Sequence, residues 1–270
     1  MRSREQVQQQ QSLERDQQQA AGPGLDRHLP AYDKAFPHFE ENRVVHEAYG
    51  ARLATLALTQ RWRSMLSLGV GHAEVARSLV QLVSEGVLKR YVLVDAAGQM
   101  LHEFEQSVHP MPPGLELVEA YFESFEHAER FDAIEAGFVL EHVDDPAKLL
   151  QRMRRFLAPG GRMFVAVPNA MSLHRRIGYE AGLLADCFAL SAADRALGHQ
   201  RYFDVASLRR LVQECGYKIE STEGLLLKPV TSRQLEQLAL TPDVWRALQI
   251  VAKPYPELSN SFCMELSAAS

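Results

Sequence analysis

A doubly wound α/β fold, built on a mostly parallel sheet of seven strands, is the architecture this sequence predicts. Two observations carry the prediction. From Met65 onward, short apolar runs alternate with amphipathic stretches, the rhythm of βαβ units that pack helices on both faces of a parallel sheet. The first run ends in Leu68-Gly69-Val70-Gly71 and the second in Val94-Asp95. A glycine turn and a carboxylate therefore stand at the carboxyl ends of two strands, where ligands bind to sheets of this kind.

The elements follow in order. Residues 1–24 read as a disordered or fraying arm, because eight of the first twenty residues are Gln and only Val7 and Leu13 offer much to bury. Residues 25–62 read as a helical extension, with Val44, Val45, Tyr49, Leu53, Leu56 and Ala57 at helical spacing. Residues 63–270 form the domain proper. Met65–Leu68 is its first strand, followed by a helix over Ala73–Ser84. Tyr91–Val94 and Gly98–Val108 are the second strand and its helix, and Leu115–Glu119 is the third strand. Phe131–Ala136 is the fourth strand, with a helix over Pro146–Leu157, and Met163–Val167 is the fifth. An insertion at 169–204 with helical pieces comes next. A helix over Val205–Glu214 ends at Gly216 and leads to a sixth strand, Tyr217–Thr222. A helical segment from Thr231 to Ala252 precedes a last strand, Ser261–Leu266, expected to enter antiparallel beside strand five or six.

Composition narrows the class. The chain has 270 residues, 46% hydrophobic and 23% charged, enough to bury a core without staples. Its net charge of -5 gives no polyanion-binding signature. Cys187, Cys215 and Cys263 are odd in number and have no CxxC spacing, which fits a reducing cytoplasm rather than a disulfide framework or structural zinc. No apolar run is long enough to span a membrane, and the start of the chain lacks the apolar stretch of a signal peptide.

Gly69 and Gly71 allow a sharp turn and close approach of backbone to ligand, and Asp95 can accept both hydroxyls of a ribose. Together they point to an adenosine-containing cofactor. A dinucleotide site wants Gly or Ala at the third place of GxGxxG, where this chain has Glu74. A carboxylate there opposes a pyrophosphate at the helix start but not a cofactor that is cationic and lacks phosphate, as S-adenosylmethionine does.

Ser67-Leu68-Gly69-Val70-Gly71-His72-Ala73, the stretch Phe131-Asp132-Ala133-Ile134 with Leu140-Glu141-His142-Val143, and Phe156-Leu157-Ala158-Pro159-Gly160-Gly161-Arg162 resemble the motifs of class I S-adenosylmethionine-dependent methyltransferases. The resemblance covers about residues 60–222, with the run through Pro159-Gly160-Gly161 as its strongest part. There Leu157 is expected to end a helix and the two glycines to reverse the chain into strand five. The resemblance implies that Gly69 and Gly71 face the methionine portion and that Asp95 holds the ribose. It further implies that Ala96, Met100, Tyr121 and Phe122 flank the adenine, that Phe138 lies under the sulfonium, and that Glu141 supports the pocket. Two motif positions depart from the family: Ser67 replaces an acid that contacts the methionine amino group indirectly, and Ala73 replaces a third glycine. Ala120 and Tyr121 stand where the family often has an Asp on the adenine amino group.

Methyl transfer is an in-line displacement, so the protein mainly aligns and desolvates the reactants, and a base is needed only if the acceptor must lose a proton. His199 and His142 are the candidate bases. Acceptor contacts are expected from Asn169, His174, Arg175, Arg176, Tyr179, Arg201 and Tyr202 in the insertion and from Tyr32, which with Phe36 is a candidate lid. No metal spacing is evident, so a metal-independent enzyme is expected. The expected acceptor is a small polar metabolite methylated on O or N, with a carboxylate as the alternative given Arg175 and Arg176. No nucleic-acid or membrane partner is expected, and the protein is read as a monomer or homodimer in the cytoplasm. From a different class, a non-catalytic cofactor-binding scaffold fits the departures at Ser67, Ala73 and Ala120.

Overall fold

The computed structural model describes residues 39–269. The Gln-rich arm, Tyr32 and Phe36 lie outside the described residues. Helix α1 (Phe39–Gln60) is followed by β1 (Ser64–Leu68), α2 (Glu74–Ser84), β2 (Arg90–Asp95), α3 (Gly98–Ser107), β3 (Leu115–Glu119) and β4 (Phe131–Gly137). Then come α4 (Pro146–Arg154), β5 (Leu157–Pro168), α5 (Leu173–Glu180), α6 (Ala192–Ala196), α7 (Val205–Glu214), β6 (Tyr217–Gly224), α8 (Ser232–Gln237), α9 (Pro242–Ala252) and β7 (Ser261–Ala268).

The seven strands form one sheet in the order β3-β2-β1-β4-β5-β7-β6. Strands β1 to β5 pair in parallel, and β7 enters antiparallel between β5 and β6. The sheet is therefore the mostly parallel, doubly wound one that the alternating pattern predicts. Reversal of strand order occurs at β1, with β2 on one side and β4 on the other, which opens a crevice at their carboxyl ends.

Period-two alternation sorts the strand side chains onto the two faces. Leu66, Leu68, Val92, Val94, Ile134, Met163 and Val165 pack with Leu149, Met153, Leu208 and Val212 of α4 and α7. Met65, Tyr91, Leu93, Ala133 and Phe164 pack on the other face with Tyr49, Leu53, Leu79, Val83 and Phe104 of α1, α2 and α3. Several helix starts are set by side-chain caps: Asp145 accepts from Lys148 N, with Pro146 at the first helical position, and Asp204 accepts from Ser207 N. Among the described residues, no helix is long and apolar enough to cross a membrane.

Two boundaries differ from expectation. Helix α4 stops at Arg154 rather than Leu157, and β5 already begins at Leu157, so Pro159-Gly160-Gly161 lies within the strand. Gly160 takes φ +77°, and the register against β4 slips between Phe131 and Ala133, which makes the motif a bulge rather than a helix-to-strand reversal. The stretch 231–252 is two helices, because the chain breaks at Leu238–Thr241 and restarts with Pro242 at the first helical position. Of the helical extension read over residues 25–62, Phe39–Gln60 forms α1, and residues 25–38 lie outside the described residues.

Candidate active site

The crevice is a cavity of about 790 Å³. Its floor is the carboxyl ends of β1, β2 and β4, and its walls come from α1, the insertion and the segment after β6. Gly69 leaves β1 at φ +86°, a left-handed conformation that a side chain disfavours, and its N–H donates to Val94 O at 2.7 Å. The Asp95 carboxylate is held by two backbone N–H groups, from Val70 to Oδ2 and from Ala97 to Oδ1, each at 2.8 Å. One side chain thus ties the glycine turn to the β2 turn. An ionised carboxylate accepts up to about four hydrogen bonds, so this arrangement is compatible with ribose hydroxyls as further donors. Ala96, Met100, Tyr121 and Phe122 line the same end of the cavity.

Phe138 follows β4 at φ +60°, a strained conformation for a bulky residue. Its ring lies 4.3 Å from that of His46 on α1, and His46 is 4.9 Å from His72. Burial pushes both imidazoles down, His72 to about 4, so this wall is aromatic and uncharged near neutral pH. Nearby, Glu135 of β4 lines the cavity while 3% exposed, and burial raises its carboxyl to about 7.

At the other end lie Glu141, His142 and His199, with their donor atoms within 4.8 Å of one another. Glu141 is 1% exposed, both its oxygens lack a hydrogen-bond partner among the described residues, and burial raises it to about 7. The His142 and His199 rings meet edge to face at 4.7 Å. On its far side, His199 Nδ1 is 3.5 Å from Asp194 Oδ1, an oxygen that also accepts the Tyr202 hydroxyl at 2.9 Å. Burial works to raise the Asp194 carboxyl, but the His199 imidazole at 3.5 Å and the hydrogen bonds from Ser191 and Tyr202 outweigh it and hold the group well below the usual carboxylate range.

The expected site residues divide accordingly. Gly69, Gly71, Asp95, Ala96, Met100, Tyr121, Phe122, Phe138, Glu141, His142, His174, Arg175, His199 and Tyr202 all line the cavity. Four expected acceptor contacts do not. Asn169 is buried and clamps the carbonyls of Pro256, Glu257 and Ser259. Arg201 donates to the carbonyls of Leu140, Val143 and Asp144, bracing the turn after β4. Arg176 and Tyr179 point outward from α5 and are exposed. Arg175 reaches the cavity wall, but its guanidinium is committed to Cys187 O, Ala189 O and the Tyr202 hydroxyl and lies over the Tyr202 ring. Sequence reasoning passed over Glu135, His46, His72 and Asp194. The helical spacing of Asn42 and His46 with the buried Tyr49 was an available signal, whereas the placement of Glu135 beside Ser67 depends on the register of β1 against β4.

A glycine turn, a strand-end carboxylate and an uncharged aromatic wall thus stand around one cavity. A family model for a methyltransferase domain matches residues 38–222. The chain belongs to the class I S-adenosylmethionine-dependent methyltransferases. The ubiquinone biosynthesis O-methyltransferase of Pseudomonas aeruginosa is 22% identical over 190 residues, 70% of each chain. Among solved structures, the CcbJ methyltransferase of Streptomyces caelestis superposes with TM-score 0.56 at 16% identity, covering 83% of this chain and 90% of that one. The N-methyltransferase NodS of Bradyrhizobium japonicum, in complex with S-adenosyl-L-homocysteine, gives 0.53 at 12% identity, covering 88% and 90%.

Proposed function

We propose that the protein transfers the methyl group of S-adenosylmethionine to an O or N atom of a small polar metabolite, such as a sugar or a secondary-metabolite intermediate, with His199 as the proton acceptor. The observation that carries this reading is the position of His199. It stands between the Asp194 carboxylate and the Glu141–His142 pair, in the cavity onto which Gly69 and Asp95 open. When bound, the cofactor supplies an electrophilic methyl group and its own leaving group. Gly69, Gly71 and Asp95 would hold the amino-acid and ribose portions, Ala96, Met100, Tyr121 and Phe122 the adenine, and Phe138 the sulfonium, which an aromatic face favours. His199 would take the acceptor proton while Asp194 fixes its orientation and stabilises the imidazolium that forms. Tyr202 and His174 would border the acceptor.

The relative in ubiquinone biosynthesis is named an O-methyltransferase and the NodS neighbour an N-methyltransferase, which supports an O or N acceptor without choosing between them. A carboxylate acceptor has less support, because Arg175 is committed within the wall and Arg176 lies outside the cavity. The three cysteines are free and buried, which supports a cytoplasmic enzyme. We read it as a monomer or homodimer that needs no nucleic-acid or membrane partner.

One observation favours a second reading: Glu141, His142 and His199 are close enough to share a divalent cation that would polarise the acceptor instead. The test is a screen of hydroxyl and amine acceptors with wild type and His199→Gln, with and without a chelator. On the base reading, His199→Gln lowers kcat by about 10²–10⁴-fold, S-adenosylhomocysteine affinity holds, and the chelator changes nothing. Chelator-sensitive turnover selects the cation. Cofactor binding with no turnover on any acceptor selects a non-catalytic scaffold.

A further inference from the structure

Ser67 stands on β1 where the family carries an acid, so the cofactor's amino group lacks its usual partner on that strand. The register of the sheet supplies a replacement. Ser67 of β1 lies directly opposite Glu135 of β4, and paired residues on adjacent parallel strands project to the same face. Glu135 lines the cavity, and its Oε2 accepts one N–H, from Gly137, at 2.8 Å. Its other polar neighbours are uncharged hydroxyls. Ser67 and Tyr49 face it, and Ser67 Oγ accepts a hydrogen bond from the Tyr91 hydroxyl at 2.9 Å. No basic side chain forms an ion pair with Glu135 among the described residues. The Tyr49 hydroxyl is itself buried, with no hydrogen-bond partner in good geometry among those residues.

A buried carboxylate with no cation beside it is costly unless a cation arrives with the ligand. Strand order brings the ligand's cation within reach. Asp95 ends β2 and Glu135 lies near the end of β4, with β1 and its glycine turn between them. That is two strand spacings, roughly 10 Å. Both side chains reach into the cavity and shorten the gap. A ligand anchored by its ribose at Asp95, with its aminoalkyl chain crossing the Gly69–Gly71 turn, brings its ammonium group to Glu135.

We propose that Glu135 is the carboxylate that receives the α-ammonium group of S-adenosylmethionine, replacing from the neighbouring strand the acid that Ser67 lacks. The recognition is an ammonium–carboxylate contact in a largely water-excluded recess, with the Tyr49 and Ser67 hydroxyls around it. A carboxylate kept only to accept the Gly137 N–H would be replaced without loss by Gln, whose amide oxygen accepts equally well.

The experiment is calorimetric titration of the full chain with S-adenosylhomocysteine and with 5′-methylthioadenosine, which has the same nucleoside but no amino-acid portion. Glu135→Gln is expected to weaken S-adenosylhomocysteine by about 10–100-fold, the scale of a lost hydrogen bond to a charged group, and to leave 5′-methylthioadenosine unchanged. Asp95→Ala should weaken both. The exchange variant Ser67→Asp/Glu135→Ser should recover most of the loss. Unchanged affinity for S-adenosylhomocysteine in Glu135→Gln, or equal loss for both ligands, overturns the proposal. Should Glu135→Gln fail to fold, wild type is titrated with the desamino analogue of S-adenosylhomocysteine. The same 10–100-fold deficit supports the proposal, and affinity equal to the parent ligand overturns it.

Discussion

Lys228 Nζ donates to both carboxylate oxygens of Glu41, at 2.6 and 2.7 Å, across 187 residues of chain. Both side chains are almost fully enclosed, and the network is completed by Ser232 Oγ at 2.6 Å from Lys228 Nζ and by Asn260, which donates to Glu41 at 2.7 Å. This buried pair fastens α1, one wall of the cavity, to the segment after β6. Lys228→Met is expected to cost about 3–5 kcal/mol of stability, because it strands a buried carboxylate. Glu41→Gln/Lys228→Met should recover much of that loss, since neither remaining group carries a charge. Urea denaturation of the three proteins checks the prediction. A Lys228→Met variant as stable as wild type would show that the pair is not a fastening.

The Glu135 carboxyl gives the protein a specific dependence on pH. Burial raises it to about 7 from the ordinary 4.5, so the folded state keeps a proton that the unfolded chain releases earlier. The stability tied to that proton is complete below about 4.5 and is lost as pH rises toward 7. Its size is roughly 3 kcal/mol at 1.36 kcal/mol per pKa unit. His46 and His72 act in the opposite sense, because burial depresses them and their contribution is lost as pH falls below 6.5, for His72 down to about 4. The informative quantity is therefore the stability of wild type minus that of Glu135→Gln, in which the histidines cancel. This difference should fall by roughly 3 kcal/mol between pH 4.5 and 7 in urea titrations without cofactor. A flat difference would mean that Glu135 is already ionised in the fold.

Asp194 is placed to act through His199. It closes the capping box of α6, accepting Ser191 N and Oγ at 2.6 Å each, and its other oxygen faces Tyr202 and His199. Asp194→Asn keeps the size of the side chain but removes the charge that orients the imidazole. With an acceptor that must lose a proton, kcat should fall by about 10²–10⁴-fold. S-adenosylhomocysteine affinity should stay at the wild-type value, and an acceptor needing no proton loss should be spared. An equal fall on both kinds of acceptor would make Asp194 a structural cap only.

What could be read in the sequence follows how local each signal is. The parallel strands were legible because Met65–Leu68, Tyr91–Val94 and Phe131–Ala136 are short apolar runs between amphipathic helices. The glycine turn and its carboxylate were legible because Gly69 and Gly71 come just after β1 and Asp95 ends β2. The bulge at Pro159-Gly160-Gly161 was not, since a Pro-Gly-Gly run is equally compatible with a turn, and only pairing with Phe131 extends β5 backward to Leu157. The acceptor end depended on long-range contacts. Arg201, Arg175 and Asn169 are polar residues in an insertion, and sequence alone does not tell a side chain that faces a ligand from one that satisfies distant carbonyls. The role of Glu135 needed the register of β1 against β4.

Ala73, where the family carries a glycine, offers the last test. It caps α2 at φ +65°, in the left-handed region, without a side-chain cap bond. An L-residue there costs about 1–2 kcal/mol, while glycine gives back part of that gain through greater freedom in the unfolded chain. Ala73→Gly should therefore be more stable by about 0.5–1 kcal/mol in urea denaturation, with cofactor affinity no worse than wild type. Gly69→Ala is the converse control. Its Cβ would lie 3.8 Å from the Phe122 ring, ordinary contact, so its loss comes from the φ of +86° alone. If Ala73→Gly instead destabilises the protein, the turn tolerates the left-handed alanine without strain, and the departure from the family motif at this position carries no cost.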